Sequence, residues 1–211
     1  MVRISFGPST VDLPYSLRLF GVTDALFDEL VDEETRAELI DGVMVVHSPA
    51  SLEHDDLGGF LRAVMRLYAE AKELGKVLGP DSLVHLASCR RFEPDAYFVR
   101  RQRVRRPRPK EFEGAPDLVL EILSSSNRAE NLNDKRPAYR EAGVPEIWLV
   151  DAEKRRLTVD RKLRKRYAAE SLSRGRVASQ AMPGFWLDVA WLWEEPLPAG
   201  LACLQEILAA D

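Results

Sequence analysis

The chain has 211 residues, of which 45% are hydrophobic and 30% charged, with a net charge of −4. That is enough apolar material for one domain with a core of its own, and the net acidity argues against a protein whose whole surface coats nucleic acid. No run approaches the roughly 18 apolar residues of a membrane span. The opening "MVRISFGPSTVDLPYSL" lacks the continuous apolar stretch of a signal peptide. Cys89 and Cys203 form no CxxC pair and are read as free thiols, so a cytoplasmic protein without a membrane partner is expected.

Residues 1–22, with Pro8 and Pro14 and no clear period, are expected to form an N-terminal arm. Thr23 or Asp24 caps a predicted short helix running to about Val31. "AELIDGVMVVHS" predicts a hairpin turning at Asp41-Gly42, with its second strand at Val43–His47. After Ser51 the apolar residues Leu57, Phe60, Leu61, Val64, Leu67 and Tyr68 recur at helical spacing, and Gly75 supplies the stop. Short apolar segments follow: "KVLGPDSLVHLA", "PDAYFV", "PDLVLEILS" and "EIWLVDAEKRRLTVDR", the last read as two strands turning near Glu153-Lys154. A helix within "NLNDKRPAYREAG" ends at Gly143, and Pro137 must sit in its first turn or bend it. "AMPGFWLDVAWLW" closes the core at the far end, and residues 196–211 form a tail packed on the domain or trailing from it. The order of elements predicts an α/β (α+β) domain over residues 23–195, a mixed sheet flanked by helices with an N-terminal helix and hairpin.

"APDLVLEILSSS" raises the chemical question, because a buried strand has little use for unpaired carboxylates. Asp117 and Glu121 share a strand face, but at about 3.3 Å per residue they stand roughly 13 Å apart. That is too far for one Mg²⁺, whose ligands lie about 2.1 Å away. Asp117 is therefore read as a hydrogen-bond acceptor at the strand entry. Glu121, mid-strand, is either paired with a buried arginine or joined by a carboxylate from a neighbouring strand about 4.8 Å away. Asp95, at the entry of the preceding strand, is that neighbour. The pair could hold a divalent cation that activates water against a phosphodiester. Lys135 is a candidate for the cation such hydrolysis uses. His54, near a helix start, and Glu38, in the strand before the turn, are weaker candidates. No GxSxG, HExxH, GxxxxGK[ST] or GxGxxG is present.

"AELIDGVMVVHSPASLEHDDL", "RRFEPDAYFV", "APDLVLEILSSSN", "DKRPAYREAGVPEIWLVDAEKRRLTV" and "MPGFWLDVAWLW", in that order, resemble the Uma family of restriction endonucleases. That family is a branch of the PD-(D/E)xK nuclease superfamily. The resemblance implies a restriction-endonuclease-like fold and a Mg²⁺- or Mn²⁺-dependent endonuclease acting on double-stranded DNA, working as a homodimer. By position, Asp95 and Glu121 match the superfamily's metal-binding acids. Leu123 stands where its lysine belongs, and Lys135 on the next helix matches the lysine's relocated position. Glu38, His54 and Asp117 match positions lining the site. The basic run 100–110, with Arg100, Arg101, Arg103, Arg105 and Arg106, would contact backbone phosphates. The rival reading is a catalytically decayed nuclease fold serving as a nucleic-acid-binding or protein-interaction module, and Leu123 favours it.

Overall fold

The structure is a computed structural model and describes residues 16–32, 35–47, 49–104, 111–125 and 127–210. Most of the N-terminal arm, and Arg105 and Arg106, lie outside the described residues.

In chain order, strand β1 (Ser16–Phe20) leads to helix α1 (Asp24–Leu30), whose first turn is capped by Thr23 accepting a bond from the Leu26 N–H. Strands β2 (Ala37–Ile40) and β3 (Val43–His47) form the hairpin, pairing Ile40 with Val43, Leu39 with Met44 and Glu38 with Val45. Asp41 and Gly42 both take positive φ, the condition a two-residue hairpin turn imposes and Asp-Gly meets at low cost. Helix α2 (Leu52–Ala71) has Ser51 as its N-cap and buries one stripe from Leu57 to Ala69. It ends four residues before Gly75, which instead opens β4 (Gly75–Leu78). A Cβ there would stand 2.0 Å from the Val99 carbonyl oxygen, so the close approach of two strands is what requires glycine.

Next come β5 (Leu83–Ala87), β6 (Arg90–Phe92), β7 (Ala96–Arg100), β8 (Glu111–Glu113) and β9 (Leu118–Leu123). Helix α3 (Arg128–Glu130) runs through a π-helical segment (Asn131–Lys135) into α4 (Arg136–Ala142), ended by Gly143 in the left-handed conformation. Strands β10 (Glu146–Asp151), β11 (Arg156–Leu163), β12 (Arg166–Leu172), β13 (Arg176–Ala178) and β14 (Trp186–Asp188) precede α5 (Gly200–Ala209).

Where the sequence predicts one central sheet, the strands divide between two six-stranded mixed sheets and a small ribbon. The first sheet runs β1-β3-β2-β6-β5-β8 and the second β12-β11-β10-β9-β7-β4, while β13 and β14 pair alone. Strand alternation explains the layering. On β9, Leu118, Leu120 and Ile122 pack with α2, α5 and the Trp186–Leu192 region, while Val119 and Leu123 face the other way. That second core lies between the sheets and is completed by Ile40, Val45, Phe92, Ala138 and Tyr139. A third core, under α1, holds Val22, Phe27, Ala37, Leu39 and Met44. Both cysteines are free thiols. No described helix is long and apolar enough to cross a membrane.

Candidate active site

Glu121 sits in the middle of β9, a strand buried along its whole length, on the face that looks toward the first sheet. β7 pairs antiparallel with β9, matching Ala96 to Leu120, so Asp95 falls one residue beyond that pair and opposite Glu121. From the first sheet, Glu38 points into the same space, because its neighbours Ala37 and Leu39 take the α1 side of β2.

Lys135 joins the two layers. Its Nζ lies 2.7 Å from Glu38 Oε1 and 2.7 Å from Glu121 Oε1, and 5.8 Å from the centre of the Phe92 ring. Relative exposures of 3% for Glu38, 2% for Glu121 and 3% for Lys135 make this a buried ionic triad. Burying such charges is tolerable only when each is closely paired and hydrogen-bonded. The further bonds are present. The Glu93 N–H donates to Glu38 Oε1 at 2.6 Å, and the Tyr139 hydroxyl donates to Glu121 Oε1 at 2.6 Å.

The electrostatics separate the two carboxylates. Burial raises the Glu38 pKa, but the Lys135 ammonium and His47 outweigh it and hold the carboxyl below its ordinary value. Burial also raises Glu121; Lys135 opposes this, but the neighbouring charges of Asp95 and Glu38 add to it, and the net shift is upward. Burial alone would lower Lys135, and the two glutamates instead drive it upward. Glu93, buried beside Glu38, is pushed up to about 7.

Asp95 is held at both oxygens. Oδ1 lies 2.9 Å from His54 Nε2, and Oδ2 accepts the Ile122 N–H at 2.7 Å. Arg62 Nη1 stands 3.4 Å from the Asp95 carbonyl oxygen. Burial pulls the His54 pKa down, but its bond to Asp95 prevails and raises it.

Asp117 lies at the other end of β9. Oδ2 accepts the Arg100 N–H at 2.9 Å and stands 3.0 Å from Arg103 Nη1, so the side chain ties down the end of β7. Arg100 and Arg103 thus face Asp117, and Arg101 faces Glu73 at 3.0 Å. All three lie at the end of β7 remote from Asp95. Leu123 is buried in the core between the sheets. Pro137 lies within the first two residues of α4 and leaves Lys135 in contact with both glutamates.

Several polar partners went unrecognised in the sequence. His47 Nε2 stands 3.3 Å from Glu38 Oε2 and 3.2 Å from Glu130 Oε1, and Arg18 pairs with Glu130 at 3.1 Å. Burial opposes the charge on His47, yet the bonds to Glu130 and Glu38 raise its pKa to about 9. Hairpin parity would have found this residue: Glu38 pairs with Val45, and His47 is two further along, on the same face. Tyr139 had a signal too, four residues after Lys135 on a helix. Glu130 had none. Glu38, His47 and Glu130 form a group able to hold a metal ion, to which Asp95 and Glu121 do not belong.

A two-layered α+β frame with acids and a lysine meeting beneath its central strands defines a protein of the restriction-endonuclease-like nuclease class. The chain belongs to the Uma2 family, described as "Putative restriction endonuclease", whose model matches residues 24–190. Among solved structures it is similar to a crystal structure of "a putative nuclease belonging to DUF820" from Anabaena variabilis ATCC 29413. The two share 17% identity over 82% of this chain and 97% of that one, with a TM-score of 0.70, which establishes a common fold. Comparison with curated proteins gives no match.

Proposed function

We propose that this protein is a divalent-metal-dependent endonuclease hydrolysing phosphodiester bonds in double-stranded DNA. The observation that carries the reading is the Lys135 bridge between Glu38 and Glu121 opposite Asp95. It brings to Glu121 the cation that Leu123 cannot supply.

The residues fit a hard cation. Asp95 and Glu121 offer oxygen donors, the kind Mg²⁺ and Mn²⁺ select. The upward shift of Glu121, crowded by Asp95 and Glu38, marks a carboxylate cluster short of positive charge. Bound there, such an ion would supply an acidified water and neutralise charge on a phosphoryl oxygen.

The chain's own groups do the rest. Lys135, fixed by two carboxylates, presents its ammonium where charge builds on the phosphorane. Tyr139 and the Glu93 N–H hold the two glutamates still. His54 orients Asp95, with the Ile122 N–H on its other oxygen. Around Asp95 a depression of about 230 Å³, lined by Arg62, Ala63, Arg66, Val77, Leu78 and Gly79, offers guanidinium groups to backbone phosphates. Arg100, Arg101 and Arg103 would meet the duplex only further from the scissile bond. A homodimer would bring one site to each strand.

The test is nicking of supercoiled plasmid with Mg²⁺ or Mn²⁺. Asp95→Asn and Glu121→Gln should each lower the rate by roughly 10²-fold or more, as loss of an electrostatic stabiliser does. Folded wild type that leaves both DNA and RNA intact would establish the rival reading, a decayed nuclease fold that only binds.

A further inference from the structure

The face of the first sheet turned toward α1 carries a second group of ionisable side chains. His85 on β5 pairs in register with Glu113 on β8, and Glu111 lies two residues back on the same face of β8. Glu38 belongs to the opposite face, so this group is separate from the candidate active site.

His85 Nδ1 stands 3.4 Å from Glu113 Oε2 and 3.9 Å from Glu111 Oε1. It is shut away from solvent and makes no hydrogen bond to any described group. A buried imidazole nitrogen aimed at two carboxylates without bonding either is costly as it stands. Ligands around a Zn²⁺-sized ion with bonds of about 2.0–2.2 Å stand roughly 3–3.5 Å from one another. The three donors are therefore close to the spacing that one shared ion would set.

Two further facts agree. Asp24 Oδ1 lies 3.7 Å from Nε2, on the far side of the ring. An acceptor placed there fixes the tautomer that leaves Nδ1 free to ligate, as partners of metal-bound histidines do. The local charge is also unbalanced. Asp24, Asp28, Glu111 and Glu113 surround His85 and Arg91, and Arg91 is engaged by Asp28 and by Asp24 at 3.0 Å, reaching Glu111 only at 3.6 Å.

We propose that His85, Glu111 and Glu113 form a second cation site, taking one borderline divalent ion of the Zn²⁺ class and stapling β8 to β5. One nitrogen with two carboxylates suits such an ion better than Mg²⁺, which selects oxygen. Its role is structural, since no cleft opens on it.

The experiment titrates Zn²⁺ alone into the full chain carrying Asp95→Asn and Glu121→Gln, so that binding at the nuclease site cannot contribute. One equivalent should bind and raise the thermal midpoint, and excess Mg²⁺ should not displace it. Adding His85→Gln or Glu113→Gln should weaken binding by roughly tenfold or more and remove the Zn²⁺-induced rise. Glu113 is half exposed, so its variant remains informative if His85→Gln misfolds. No Zn²⁺ binding by the folded chain, or binding indifferent to Glu113→Gln, would overturn the site and leave the nuclease reading untouched.

Discussion

Lys135 carries the largest energetic consequence of any single side chain here. Removing it leaves Glu38 and Glu121 as buried like charges with no counterion. Breaking a buried ionic group in this way costs about 3–5 kcal/mol. Lys135→Ala should therefore lower the denaturation midpoint sharply as well as abolish cleavage, whereas Glu121→Gln, which leaves Lys135 with Glu38, should lose cleavage at a smaller cost in stability. Chemical denaturation of both variants beside the nicking assay checks the contrast. His47 gives a pH signature. Its pKa is raised from 6.5 to about 9 in the folded chain, so its pairing with Glu130 and Glu38 stabilises fully below about 6.5. That contribution is lost as the pH rises through about 9. Stability should fall across that window, and His47→Gln should flatten the fall. Denaturant midpoints measured on either side of the window decide it.

The helix from Arg128 to Ala142 decides whether Lys135 reaches the site. A proline has no N–H for the carbonyl four residues back, and its ring crowds that carbonyl. Pro137 imposes both conditions on Asn133, inside the π-helical segment, where the Arg136 N–H reaches back to the Asn131 carbonyl. The wider turn carries Lys135 inward and buries Glu130 and Asn131 with it. Sequence reasoning treated Pro137 as a threat to the site, whereas the break it makes accompanies a lysine set against both glutamates. Pro137→Ala should let the segment return to α-helical pairing, leaving the chain folded but slowing cleavage by roughly tenfold or more as Lys135 shifts. A crystal structure of the variant, with its cleavage rate, tests this. The hairpin is the opposite case: Asp41-Gly42 fixed its turn, register and facing from sequence alone.

At the scale of the whole molecule, the second sheet depends on a cover formed late in the chain. Helix α5 places Cys203, Leu204 and Ile207 in the core with Phe60, Leu61 and Val64 of α2. At about 1.5–3 kcal/mol per buried side chain, truncation after Glu195 should cost ~5 kcal/mol. The thermal midpoint of the shortened chain against the full one measures it. Residues 196–211 began as a tail, and the apolar spacing of "LACLQEIL" becomes a packed helix only because α2 presents a matching stripe. The two-sheet architecture was likewise not legible. Period-two alternation says which residues share a face, but not which strand pairs with which.

The sequence by itself determined the elements and their facing: the capped helices, the Asp-Gly hairpin, and Asp95 and Glu121 on neighbouring strands. Those features depend on local periodicity and turn chemistry, which act within a few residues. The tertiary structure alone decided that Glu38 from the first sheet and Lys135 from the helix meet at Glu121, 97 residues apart in the case of Glu38 and Lys135. It also turned His47 and Glu130 into partners and gathered His85 with Glu111 and Glu113 on the far face. The reason is physical. Charges buried between layers must find counterions, and which counterion is within reach depends on how the layers pack.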